Sequence, residues 1–145
     1  MREAELVVFQ VEHDNVAQVA DAMVPLILDG IEVLAGLEMG GIAVVTALGL
    51  RARLPCAFVR KAAKDYGTRR LAEGAEVRGR QVLVVEDVVP SGGQIVISAA
   101  HLREMGARFG HALCVIDRQE GGADALAGDG IRLHALMRRE ELDQA

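Results

Sequence analysis

Apolar residues fall along this chain in two rhythms. Unbroken runs, such as VLVV at 82–85 and ALCVI at 112–116, alternate with stretches where apolar side chains return every three or four positions. The first rhythm marks strands buried on both faces, the second amphipathic helices. The segment DNVAQVADAMVPLILD at 14–29 predicts a helix with a cap at Asp14 or Asn15, kinked or shortened by Pro25. After it the pattern predicts a strand at 31–35, a glycine-rich turn GLEMGG at 36–41, a helix at 42–53 and a strand at 56–60. Beyond a basic segment it predicts a strand at 81–86, the turn PSGG, and a helix at 94–105 closed by Gly106. The last elements are a strand at 111–117, a short helix at 123–127, a strand-like IRLHAL at 131–136 and an exposed terminal helix holding Glu140 and Glu141. Strands alternating with helices in this order predict an open, mainly parallel α/β sheet with helices on both faces.

Composition narrows the class. A chain of 145 residues, 51% of them apolar, is long enough to bury one core, and a single domain over 1–145 is expected. Its longest apolar runs fall short of the roughly 18 residues that a membrane span requires, so no membrane association is expected. The start MREAELVVFQVEHD lacks a basic region followed by a long apolar one, which predicts no secretory signal and a cytoplasmic location. Cys56 and Cys114 sit inside apolar runs without CxxC spacing and read as buried, reduced thiols. His13, His111 and His134 lack metal-ligand spacing, and His101 reads as a surface or interhelix residue. The net charge of −5 argues against a nucleic-acid partner. Residues 60–80 carry a local net of +4 against −9 elsewhere. That segment is either a solvated loop or a capture site for a small, highly charged anion, since local field governs capture.

In a parallel α/β sheet the ligand crevice lies at the carboxyl ends of the strands. The loops after residues 35, 60, 86 and 117 should therefore converge there. GLEMGG offers unobstructed backbone N–H groups, with Met39 as a packing residue whose backbone alone is near ligand. VRKAAKDYG brings cations, and DRQEGG an arginine flanked by acids. In EDVVPSGG, Ser91, Gly92 and Gly93 precede a helix, whose N-terminus suits a phosphate. Glu86 and Asp87 would repel that phosphate and suit hydroxyl groups or a metal ion beside it. A ligand with phosphate at one end, sugar hydroxyls in the middle and further anion facing the cations satisfies all four loops. A dinucleotide is not favoured, because GLEMGG lacks the G-x-G-x-x-G spacing.

VLVVEDVVPSGG resembles the phosphoribosyl-pyrophosphate (PRPP) motif of type I phosphoribosyltransferases. FVRKAAKDYGTRRLAEG and IDRQEGG resemble orotate phosphoribosyltransferase in particular, and LAGLEMGGIAVVTALGLR resembles that family's pyrophosphate loop. The match runs in order over residues 31–136, the expected PRPP-binding core, leaving 1–30 for the first helix and a degenerate or missing N-terminal hood.

The resemblance implies roles. Glu86 and Asp87 would bind the ribose hydroxyls, and Val88, Val89, Pro90, Ser91, Gly92, Gly93 and Gln94 would wrap the 5-phosphate. Glu38, Met39, Gly40 and Gly41 would line the pyrophosphate from one side, with Arg60, Lys61, Lys64 and Tyr66 on the other. Arg118 would pair with the orotate carboxylate. Lys64 and Asp87 would be catalytic, Lys64 from a mobile loop that reaches a neighbouring subunit's site in a homodimer with shared active sites. Mg²⁺ would be held through PRPP, with no direct protein ligand. The implied activity is phosphoribosyl transfer from PRPP to orotate, giving orotidine 5′-monophosphate and pyrophosphate in pyrimidine synthesis. The alternatives are a transferase for a different base and a PRPP-binding regulatory or assembly module with little or no catalysis. Four departures mark this chain. Glu86 stands where the family usually has Asp, Tyr66 replaces a His, and the hood is reduced, with Phe9 in LVVFQVE as a remaining aromatic. Pro90 replaces a frequent Thr; losing that hydroxyl and N–H costs roughly 1.5–3 kcal/mol if nothing compensates.

Overall fold

The structure, a computed structural model, describes residues 13–61 and 72–144. Helix α1 spans His13–Met23, so Asp14 and Asn15 lie inside it and neither precedes it. Pro25 then sits at the start of a 3-10 turn, Val24–Leu26. A proline ring supplies no N–H to continue an α-helical ladder, which is why α1 stops where it does. The remaining elements are β1 (Val33–Leu37), α2 (Gly40–Ala52), β2 (Cys56–Val59), β3 (Ala72–Gly74), β4 (Val82–Val89), α3 (Gly93–Glu104), β5 (His111–Asp117), α4 (Gly122–Gly128), β6 (Arg132–Arg138) and α5 (Arg139–Asp143).

The six strands form one sheet in the order β3-β2-β1-β4-β5-β6. All pairings are parallel except β2 with the short β3. Along the strands, successive side chains enter opposite cores, which is why the runs are apolar throughout. Leu34, Leu83, Val85 and Leu113 face Val19 and Met23 of α1 and Val44, Val45 and Leu48 of α2. Val33, Ala35, Val82, Val84 and Ala112 face Ile95, Ala99 and Leu102 of α3 and Leu126 of α4. Full burial of each such Leu, Ile or Val contributes about 1.5–3 kcal/mol.

Two further differences from the sequence pattern shape the crevice, and one short strand, β3, lay outside it. β1 runs to Leu37 and α2 starts at Gly40, so GLEMGG is not one turn; Glu38 and Met39 alone make it, joined by a cis peptide bond. β4 continues three residues past Glu86 because β5 still flanks it, with Val88 paired to Ile116 and Val89 to Asp117. β3 had no periodic signal, being three residues long at the end of a charged segment.

Among the described residues no helix is long and apolar enough to cross a membrane. Both cysteines are free thiols. Cys114 is fully buried in β5, and half-buried Cys56 donates from Sγ to the Val45 carbonyl at 3.3 Å. Burial pushes both thiols above their ordinary range, so the thiolate that reacts is scarce at neutral pH. Labelling with a disulfide reagent should therefore be slow without denaturant, Cys56 reacting before Cys114. His111 Nδ1 and His134 Nε2 meet at 2.9 Å across β5 and β6, a contact that their separation of 23 residues conceals.

Candidate functional site: a crevice at the switch point of the sheet

The chain turns from β1 onto one face through α2 and from β4 onto the other through α3, so the two adjacent strand ends diverge. A crevice opens at such a switch point. Register places Val85 beside Gly36, the next-to-last residue of β1. Glu86 and Asp87 therefore lie where β4 loses its β1 neighbour and keeps β5. Half-buried acids at that step face the turn into α2. A β-carbon on Gly40 would overlap the Asp87 carboxylate, and one on Gly41 would stand 3.2 Å from Glu86 Oε1 and 2.8 Å from the Val85 carbonyl. The carboxylate pair and the glycine turn, read separately from the sequence, thus form one wall.

Local bonds hold the acids in place. Glu86 Oε1 accepts the Asp87 N–H at 3.0 Å, and Asp87 Oδ1 accepts the Val88 N–H at 2.7 Å. Burial pushes the Glu86 carboxyl up to about 9, aided by interaction with Asp87 and opposed by the Asp87 N–H and the Lys61 charge. Glu86 is therefore protonated at neutral pH, able to donate one hydrogen bond and accept others.

Beyond the acids the chain wraps a small cavity of about 120 Å³, lined by Glu86, Val88, Val89 and residues 90–95. Val88 and Val89 line it as strand residues; the Val88 N–H is already taken by Asp87, and the segment outside the strand starts at Pro90. Gly92 holds φ +82°, and no side chain caps α3. The first N–H groups of α3 remain available, at the positive end of a twelve-residue helix. Gly92 packs on α4, where a β-carbon would come 3.0 Å from the Gly122 carbonyl.

On the other side of the crevice, Glu38 accepts the Lys61 N–H, and Arg60 pairs with Glu73 at 3.0 Å. Met39 is 83% exposed, so it is not the packing residue expected from its apolar side chain. Arg118 follows β5 and donates its N–H to the Val89 carbonyl at 3.0 Å, while its guanidinium meets Glu120 at 2.7 Å. Lys64, Tyr66 and Phe9 lie outside the described residues. Glu73 and Glu120 were not sequence candidates. Glu73 is 13 residues from Arg60, and only the β2–β3 ladder, with Phe58 opposite Glu73, brings it close. Among the described residues no group of three or more His, Cys, Asp or Glu is arranged to hold a metal ion.

The acid pair and the cavity at the start of α3 thus sit together at the switch point of a mainly parallel α/β sheet. A model of the phosphoribosyl transferase domain matches residues 11–130, and the chain belongs to that family. It is 39% identical over 137 residues to orotate phosphoribosyltransferase of Nocardioides sp., covering 94% of this chain and 76% of the relative. It is 35% identical over 135 residues to orotate phosphoribosyltransferase of Methanocella arvoryzae, covering 93% and 77%. The structure of Mycobacterium tuberculosis H37Rv orotate phosphoribosyltransferase in complex with PRPP matches with a TM-score of 0.82 at 28% identity, over 95% of this chain and 82% of that one.

Proposed function

We propose that the protein transfers the phosphoribosyl group of PRPP to orotate, releasing pyrophosphate and forming orotidine 5′-monophosphate. The observation that carries this reading is the single wall made by Glu86, Asp87 and the two glycines that open α2, Gly40 and Gly41, beside the α3 cavity. It matches a ligand with ribose hydroxyls between two anionic ends, and the relatives named orotate phosphoribosyltransferase support the choice of base.

In this reading Asp87 and Glu86 take the ribose hydroxyls, and residues 90–94 hold the 5-phosphate through backbone N–H groups. Arg60, Lys61 and Lys64, with residues 38–41, attend the pyrophosphate. Arg118 exchanges Glu120 for the orotate carboxylate. A bond forms from an orotate ring nitrogen to C1 of the ribose while the C1–O bond to pyrophosphate breaks, its electron pair leaving with pyrophosphate and the N–H proton passing to solvent. The transition state is a cationic sugar beside a departing polyanion, and Lys64 stabilises the charge on the leaving group. A Mg²⁺ carried on PRPP, with Asp87 the one ionised acid beside it among the described residues of the wall, would neutralise the pyrophosphate. The reading also implies a cytoplasmic homodimer with shared sites, which sedimentation would test.

With orotate, PRPP and Mg²⁺, orotidylate should accumulate, and Lys64→Ala should lower kcat by about a hundredfold or more. No orotate-dependent product alongside saturable PRPP binding would leave a binding module in place of a transferase.

A further inference from the structure

Of the described residues assigned to pyrophosphate, Arg60 and Lys61 each have a donor engaged by one of the chain's own carboxylates. Glu38 reaches from the turn after β1 to the Lys61 N–H. Glu73 reaches from β3 to the Arg60 guanidinium, Oε2 to Nη2 at 3.0 Å. Glu38, Arg60 and Glu73 line one cavity of about 250 Å³, whose wall includes Ile42, Phe58 and Val59. The Arg60 and Glu73 side chains are 29% and 42% exposed. The pair is part-buried but both side chains still meet water, so a stronger anion can exchange for Glu73.

We propose that Glu38 and Glu73 stand in for the leaving-group oxygens in the empty site, and that a diphosphate displaces both while a monophosphate displaces only one. Displacing both acids costs a diphosphate more than displacing one costs a monophosphate. Once displaced they remain beside the polyanion, and their repulsion lowers the affinity for free pyrophosphate and speeds its departure. The inference rests on the pyrophosphate assignment of Arg60 and Lys61 above.

The test is calorimetric titration of the full chain with Mg-pyrophosphate and, separately, with inorganic phosphate, comparing the parent with Glu73→Gln and Glu38→Gln. Glutamine keeps the shape and removes the charge, and circular dichroism verifies that each variant is folded. Glu73→Gln should bind pyrophosphate about two- to fivefold more tightly, the range given by an exposed pair. Phosphate should gain less than pyrophosphate, because it displaces only one of the two acids, and Glu38→Gln should move both in the same direction. Weaker pyrophosphate binding in Glu73→Gln would mean that Glu73 positions Arg60 in the bound state, and would overturn the inference. Unchanged binding in both variants would overturn it too. A parent chain that binds neither pyrophosphate nor PRPP would refute the site assignment itself, and the inference with it.

Discussion

Alanine at position 40 is expected to weaken PRPP binding by about ten- to a hundredfold while lowering stability by no more than about 2 kcal/mol. Gly40 opens α2 and is exposed, where alanine is a better helix former than glycine. The three atoms nearest a β-carbon there all belong to the Asp87 carboxyl group, the end of a side chain that can rotate away. That rotation removes the carboxylate from the ribose hydroxyls and gives up its bond to the Val88 N–H. Losing one charge-assisted hydrogen bond costs roughly 1.5–3 kcal/mol, which sets the expected range. Gly41→Ala is the contrasting case. Its β-carbon would stand 2.8 Å from the Val85 carbonyl, a backbone atom held in the sheet, so the strand or helix must shift and stability falls first. Calorimetric titration with Mg-PRPP and thermal melting of both variants separate the two effects. Full PRPP affinity in Gly40→Ala would remove Asp87 from the ribose site.

The same two glycines show what the sequence could reveal. The runs at 82–85 and 112–116 identified their strands because both faces of those strands are covered, by α1 and α2 on one side and α3 and α4 on the other. The family motifs predicted a parallel sheet with the acids and the PSGG turn at the end of one strand, and the sheet order and the start of α3 agree with that. Boundaries that depend on neighbours were not legible. Gly36 reads as a turn residue, yet it lies in β1, where a β-carbon would strike Val45 and approach the Gly41 carbonyl to 2.8 Å; glycine serves close strand–helix packing there. Glu86 and Asp87 look like the end of a strand, but pairing with β5 carries β4 through them. The partners of Arg60 and Arg118 were hidden for the same reason, since a charge pair leaves no period in a sequence. Least legible was ionisation. Two adjacent acids read as two carboxylates, whereas burial keeps a proton on Glu86.

That proton has a measurable consequence for stability. The Glu86 carboxyl is raised from 4.5 to about 9 in the folded protein. Between those values the folded chain holds a proton that the unfolded chain has released, so the slope of unfolding free energy against pH is negative. Glu86 therefore contributes its full stability below pH 4.5, loses it progressively as pH rises, and has lost it above about 9. The decline approaches ~1.4 kcal/mol per pH unit at most, the value for one proton. Glutamine has the shape of the protonated carboxyl and nothing to ionise. The stability of the parent minus that of Glu86→Gln should thus be flat in acid, fall across the window and flatten again in alkali, read by urea denaturation at a series of pH values. At neutral pH Glu86→Gln should keep PRPP affinity within about threefold, because the group it replaces already carries its proton. Glu86→Asp restores the usual family residue but shortens the arm that accepts the Asp87 N–H, and should bind more weakly than the glutamine variant. A stability difference that does not change with pH would mean that Glu86 is ionised in the folded chain, and would return the wall to two negative charges.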